Sequence, residues 1–113
     1  MGDELLELAF HSKELRTICE NEAKARLELG PSVAEMLKHR LADLRAAKTV
    51  QDLLVGRPRV IDEREQYMAI DLCDGYFMVF APNHVANPMT KAGDLDWTKV
   101  SRVQIIKIGG EHE

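Results

Sequence analysis

Gly56-Arg-Pro-Arg-Val-Ile61, then Gln66-Tyr-Met-Ala-Ile-Asp-Leu-Cys73, Asp74-Gly75 and Tyr76-Phe-Met-Val-Phe80: this stretch decides the fold. Asp-Gly between two apolar runs is the dipeptide that most readily supplies the positive φ angles of a tight hairpin. Alternation then puts Met68, Ile70 and Leu72 on one face of the first strand and Tyr67, Ala69 and Asp71 on the other. In the second strand Met78 and Phe80 join the core, while Phe77 and Val79 turn to the opposite face. A slip of one residue would exchange these sets. Ahead of the hairpin, Arg57-Pro58-Arg59 forms a cationic and stiff turn.

Upstream, Leu5, Leu6, Leu8 and Phe10 read as a first strand. Ser12 is placed to cap a helix in which Leu15, Ile18, Cys19 and Leu27 recur at helical spacing. Gly30-Pro31 stops or bends that helix. Ser32-Val-Ala-Glu35 fits a capping box for a second helix, whose apolar stripe is Val33, Met36, Leu37, Leu41 and Leu44. Thr49 to Leu54 is a connector, at most a turn of helix. Downstream, residues 81–98 hold Pro82, Asn83, Asn87, Pro88 and Gly93 and read as a long irregular segment. Val100 to Ile108 reads as a last strand, with Val103, Ile105 and Lys107 alternating against Gln104, Ile106 and Ile108. The expectation is one α+β domain over residues 1–113: a strand, two helices, then a small antiparallel sheet with the helices packed on one face.

Composition narrows the class further. A chain of 113 residues, 45% hydrophobic and 30% charged, has the make-up of a single soluble domain. No apolar run approaches the roughly 18 to 20 residues of a membrane span. The acidic start Met1-Gly2-Asp3-Glu4 lacks the apolar core of a signal peptide, so a cytoplasmic location is expected. Cys19 and Cys73 show no metal-ligand spacing and read as reduced thiols. The net charge of −4 has the wrong sign for a protein that grips nucleic acid over its whole surface. Residues 97–110, however, hold Lys99, Arg102 and Lys107 with no acid, so a polyanion site would be local.

The element order, with Arg40-Leu-Ala-Asp-Leu-Arg45 closing the second helix, resembles the RelE/ParE toxin superfamily, and within it the HigB branch of type II toxin–antitoxin systems. The likeness rests on Gly-Arg-Pro-Arg at 56–59, Arg64-Glu65-Gln66-Tyr67, the Asp-Gly-Tyr hairpin, and Asp96-Trp97 before the last strand. It spans roughly residues 7 to 112. It implies a small toxin that cuts mRNA on the ribosome without a metal or other cofactor, held inactive by a helix-turn-helix antitoxin. A homodimer or a hetero-oligomer with the antitoxin would be the assembled form. Such chemistry needs a base, an acid and a cation beside the phosphorane.

Carried over by position, the resemblance implies Arg57, Arg59 and His112 as catalytic candidates and Tyr67, Tyr76, Arg102 and Lys107 as RNA contacts. Each has a plainer reading. Arg57 and Arg59 are also ordinary turn charges, and Arg102 and Lys107 suit edge-strand charges that deter aggregation. Tyr67 and Tyr76 would equally pack on the sheet, and His112 lies in a tail. His84 is either a proton carrier in the long loop or a histidine facing water; His39 sits on a polar helix face. Asp71 would repel RNA unless it partners Arg59 or Lys107.

Two positions depart from the family pattern. Tyr76-Phe77 stands where a Tyr/Trp-Arg pair is usual, and Gly110-Glu111 precedes His112 where Asp-Tyr is usual. These departures motivate an alternative: a member without nuclease activity that serves as an antitoxin-binding protein. Apolar Phe77 and Val79 on the non-core face would then meet an antitoxin segment. The ParE-like alternative, action on DNA gyrase, has no residue that favours it.

Overall fold

The computed structural model describes residues 5–110. Strand β1 (Glu7–Phe10) leads into α1 (Lys13–Glu20), α2 (Glu22–Leu29) and α3 (Pro31–Ala46). Strands β2 (Arg59–Asp62), β3 (Tyr67–Asp71), β4 (Tyr76–Pro82) and β5 (Arg102–Gly110) complete a five-stranded sheet in the order β1-β5-β4-β3-β2. The α+β layout with helices on one face is as expected. The pair β1–β5 is parallel and the other pairs are antiparallel.

Two local signals act differently from their sequence reading. The single helix expected from Ser12 through Leu27 breaks at Asn21, which ends α1 and caps α2 by accepting the Lys24 N–H at 3.0 Å. Asn competes for backbone hydrogen bonds and so favours a cap over a helix interior. The capping box at Ser32–Glu35 does not form. Pro31, with its pre-set φ, opens α3 two residues earlier, behind Gly30 as the N-cap, and Ser32 lies inside the helix. A comparable device appears instead at the connector, a 3-10 turn over Val50–Asp52, where the Asp52 carboxylate accepts the N–H groups of Lys48 and Thr49.

The core lies between α3 and the sheet. Val33, Leu37, Leu41 and Leu44 from α3 pack with Met68, Ile70, Leu72, Met78, Phe80, Val103 and Ile105. Phe80, Leu37, Leu44, Ile70, Met78 and Ile105 are its largest fully buried side chains. The hairpin face assignment therefore holds. Asp74 (φ 54) and Gly75 (φ 80) both take positive φ, and the Tyr76 N–H donates to the Cys73 carbonyl at 2.9 Å. Both signs are those that Asp-Gly predicts.

The last strand departs from simple alternation. Val79 pairs with Lys107 and Phe80 with Ile105, which leaves Ile106 as an extra residue in β5. A bulge of this kind reverses the alternation beyond it. Val103 and Ile105 face the helices, but Lys107, expected on their side of the strand, turns to the opposite face and Ile108 packs on the core instead. Strand β2, unread in the sequence, pairs with β3 as the far edge of the sheet, across a turn in which Gln66 has φ 61. Because β1 pairs with β5 over Arg102–Ile105, Arg102 guards no edge, whereas Lys107 lies beyond the end of β1.

Candidate functional site on the open face of the sheet

Directly opposed residues share a face, so the cross-strand register defines the face away from the helices. Lys107, Val79, Ala69 and Arg59 form one row across four strands, and Phe77 stands beside Asp71 in the next. Glu7 opposite Arg102, and Ala9 opposite Gln104, extend this face across β1. Ala69 is fully buried and Val79 is 2% exposed, although neither belongs to the helix-side core cluster. The expected apolar patch of Phe77 and Val79 is thus absent as an exposed surface. The bulge brings Lys107 alongside, and its ammonium stands 5.7 Å from the centroid of the Phe77 ring.

Asp71 is the hub. Its Oδ2 accepts from Arg57 Nε at 2.5 Å, and its Oδ1 pairs with Arg59 Nη2 at 3.0 Å. Arg59 Nη1 also donates to the carbonyl of Arg57 at 3.0 Å. Burial raises the Asp71 pKa, but hydrogen bonds and charge from Arg57 and Arg59 outweigh it and hold the carboxyl below its ordinary value. The carboxylate is also fixed by its backbone. The Asp71 N–H donates to Gly56 O at 2.6 Å, and Arg40 on α3 donates through Nε to Asp71 O at 3.2 Å.

The turn that supplies the arginines is strained. Gly56 has φ +79, and a Cβ there would lie 3.0 Å from Arg40 Nε and 3.2 Å from Asp71 O. Arg57 itself has φ 48, a conformation few non-glycine residues adopt. Such backbone conformations persist only where the surroundings over-determine them. Beside Arg57 lies a depression of about 240 Å³ lined by Asp71, Cys73, Gly75, Tyr76 and Phe77.

Of the sequence candidates, Arg57 and Arg59 converge on Asp71. Tyr67 begins β3 on the same face, half-buried. Tyr76 begins β4 and packs against the core cluster while lining the depression. Arg102 pairs with Glu7 at 3.1 Å. His112 lies outside the described residues. His84 does not face water: its Nε2 accepts the N–H groups of Ser101 at 3.1 Å and Arg102 at 3.3 Å. That role ties the long segment to the start of β5. Sequence reasoning missed Arg40, whose signal was its place in the Arg40–Arg45 run, and Gly56, whose signal was a glycine immediately before Arg-Pro-Arg.

The arrangement can bind an anion through guanidinium forks and offer aromatic surface beside it. Among the described residues no cluster of His, Cys, Asp and Glu is placed to hold a metal ion, and no helix is long and apolar enough to cross a membrane. Comparison with protein-family models, curated proteins and solved structures found no match to this chain.

Proposed function

We propose that this chain is the toxin of a type II toxin–antitoxin pair, of the HigB-like kind: a cytoplasmic mRNA endonuclease that acts at the ribosome without a metal and is neutralised by a helix-turn-helix antitoxin. The single observation that carries the reading is the Arg57–Arg59 pair converging on Asp71 at the open sheet face, with Lys107 in the same cross-strand row as Arg59, although the chain as a whole carries a net charge of −4. A local basic face on an acidic protein is what selective capture of a phosphate backbone requires.

In this reading Arg57 and Arg59 offset charge on the phosphorane formed when a 2′-hydroxyl attacks the adjacent phosphate. Tyr67 and Lys107 orient the strand. Expression of the protein alone in bacteria is the test: growth arrest with cleaved transcripts is expected, relieved by the antitoxin. Normal growth with intact mRNA refutes it.

A second reading is supported by Asp71, which already charge-matches Arg57 and Arg59, and by Phe77 in place of a family arginine. It makes the chain an antitoxin-binding protein without nuclease activity. Phe77→Arg separates the two. Toxicity gained only with the added guanidinium supports the second, whereas strong toxicity of the unaltered chain excludes it.

A further inference from the structure

We propose that the outer edge of β2 receives an extended peptide from a partner protein, and that an arginine or lysine of that peptide seats in the cavity beside Trp97. The site lies on the helix side of the sheet and stands independently of the nuclease reading. Strand β2 ends the sheet, and among the described residues its backbone groups bond to no segment but β3. Such an edge is a template for a further strand, which proteins commonly blunt with charge, proline or a covering segment. Here charge stands only at the ends, Arg59 and Asp62. The two residues between them are apolar and exposed, Val60 at 39% and Ile61 at 47%.

A cavity of about 340 Å³ adjoins this edge, lined by Val60, Glu63, Gln66, Asp94, Leu95 and Trp97. Val60 opposes Met68 of the core, which puts it on the helix side, and Leu95 and Trp97 pack against the same core. Glu63 and Gln66 come from the turn after β2, which the Glu65 N–H closes by donating to Asp62 Oδ1 at 3.0 Å. Asp94 comes from the long segment, where the Thr90 N–H donates to its carbonyl at 2.7 Å and Met89 bridges to Leu95. Both carboxylates are exposed, and neither has an ion-pair partner among the described residues.

These walls select a side chain. Val60 and Leu95 accept an aliphatic stem, an indole attracts a cation, and Glu63 and Asp94 supply the opposite charge. A peptide residue paired opposite Val60 would share its face of the sheet and so reach the cavity. Strand addition then gives affinity through the backbone, and the cavity chooses the side chain. Charge complementarity makes the occupant a basic peptide rather than an acidic one.

Trp97 is the only tryptophan of the chain, so its fluorescence reports on the cavity directly. The test titrates the full chain with a capped threonine- and valine-rich hexapeptide that carries one central arginine, and with the same peptide carrying norleucine there. The arginine peptide should bind about tenfold more tightly, the worth of a cation beside an indole and two carboxylates. Glu63→Gln with Asp94→Asn should remove most of that preference and leave the norleucine peptide unaffected. N-methylation of alternate peptide residues should abolish binding in at least one of its two phases, because only one edge of an added strand meets β2.

Equal binding of the arginine and norleucine peptides, or no response of Trp97 to either, overturns the cation site. Full binding by both N-methylated phases overturns strand addition. Sedimentation of the chain alone decides against the other occupant: a dimer that Val60→Lys dissociates gives the edge to a second copy and overturns the peptide reading, whereas a monomer at the titration concentration upholds it.

Discussion

Arg40 Nε, reaching from α3, lies 3.2 Å from the carbonyl oxygen of Asp71. The same nitrogen lies 3.0 Å from the point where a Cβ on Gly56 would sit. One helix side chain thus links the hairpin end, the Arg-Pro-Arg turn and the core. Its other contact, Nη1 to Asp43 at 3.2 Å, keeps it aimed.

Gly56→Ala should therefore cost about 2 kcal/mol, since it adds both a strained positive φ and a crowded contact. The midpoint of urea denaturation should fall with an unchanged slope. An alanine variant as stable as the parent would show that the turn and Arg40 yield without cost.

Asp71 gives the chain an acid-sensitive element. Its folded pKa lies below its unfolded one, so its contribution is complete above the ordinary carboxylate value and is lost as pH falls through the lower folded value. The window lies below about pH 4. Asp71→Asn should flatten this part of the acid limb, measured by urea unfolding at pH 5, 4 and 3. An unaltered limb would place the acid sensitivity in other carboxylates.

His84→Ala removes the acceptor for two backbone N–H groups at the start of β5. The expected loss is about 1–2 kcal/mol, felt locally. Hydrogen exchange at the Ser101 and Arg102 amides should accelerate relative to amides in the centre of β4. His84→Gln retains an acceptor and should recover part of the protection.

Burial pushes the Cys19 thiol up to about 11, against a smaller opposing effect of Arg45. Little thiolate then exists near neutrality, and the thiolate is the nucleophile. Iodoacetamide at pH 7.5 should label Cys19 slowly in the folded chain and rapidly in urea, as read by mass spectrometry.

Phe77 and Lys107 illustrate how far the primary structure reaches. Alternation placed Phe77 on the non-core face, and the structure agrees. The same rule put Lys107 with Val103 and Ile105, and the extra residue Ile106 reversed it. A bulge depends on how two distant strands register against one another, and no local pattern announces it. The Asp-Gly turn was legible because the turn's φ angles are a property of those two residues. The pairing of Asp71 with both arginines was legible only as one option among several, because Arg57 and Asp71 are 14 residues apart.

By itself the sequence determined the α+β layout, the hairpin with the positive φ angles of its turn, the stripe of α3 and the residues that fill the core. These follow from side-chain period and local backbone preference, which act over a few residues. Only the tertiary structure decided which cations share a face, that Val79 is buried, that His84 anchors rather than faces solvent, and that Asp71 holds the arginines. Those outcomes depend on strand order, on one bulge and on contacts between segments far apart in the chain. They are energies of assembly, and no single segment contains them.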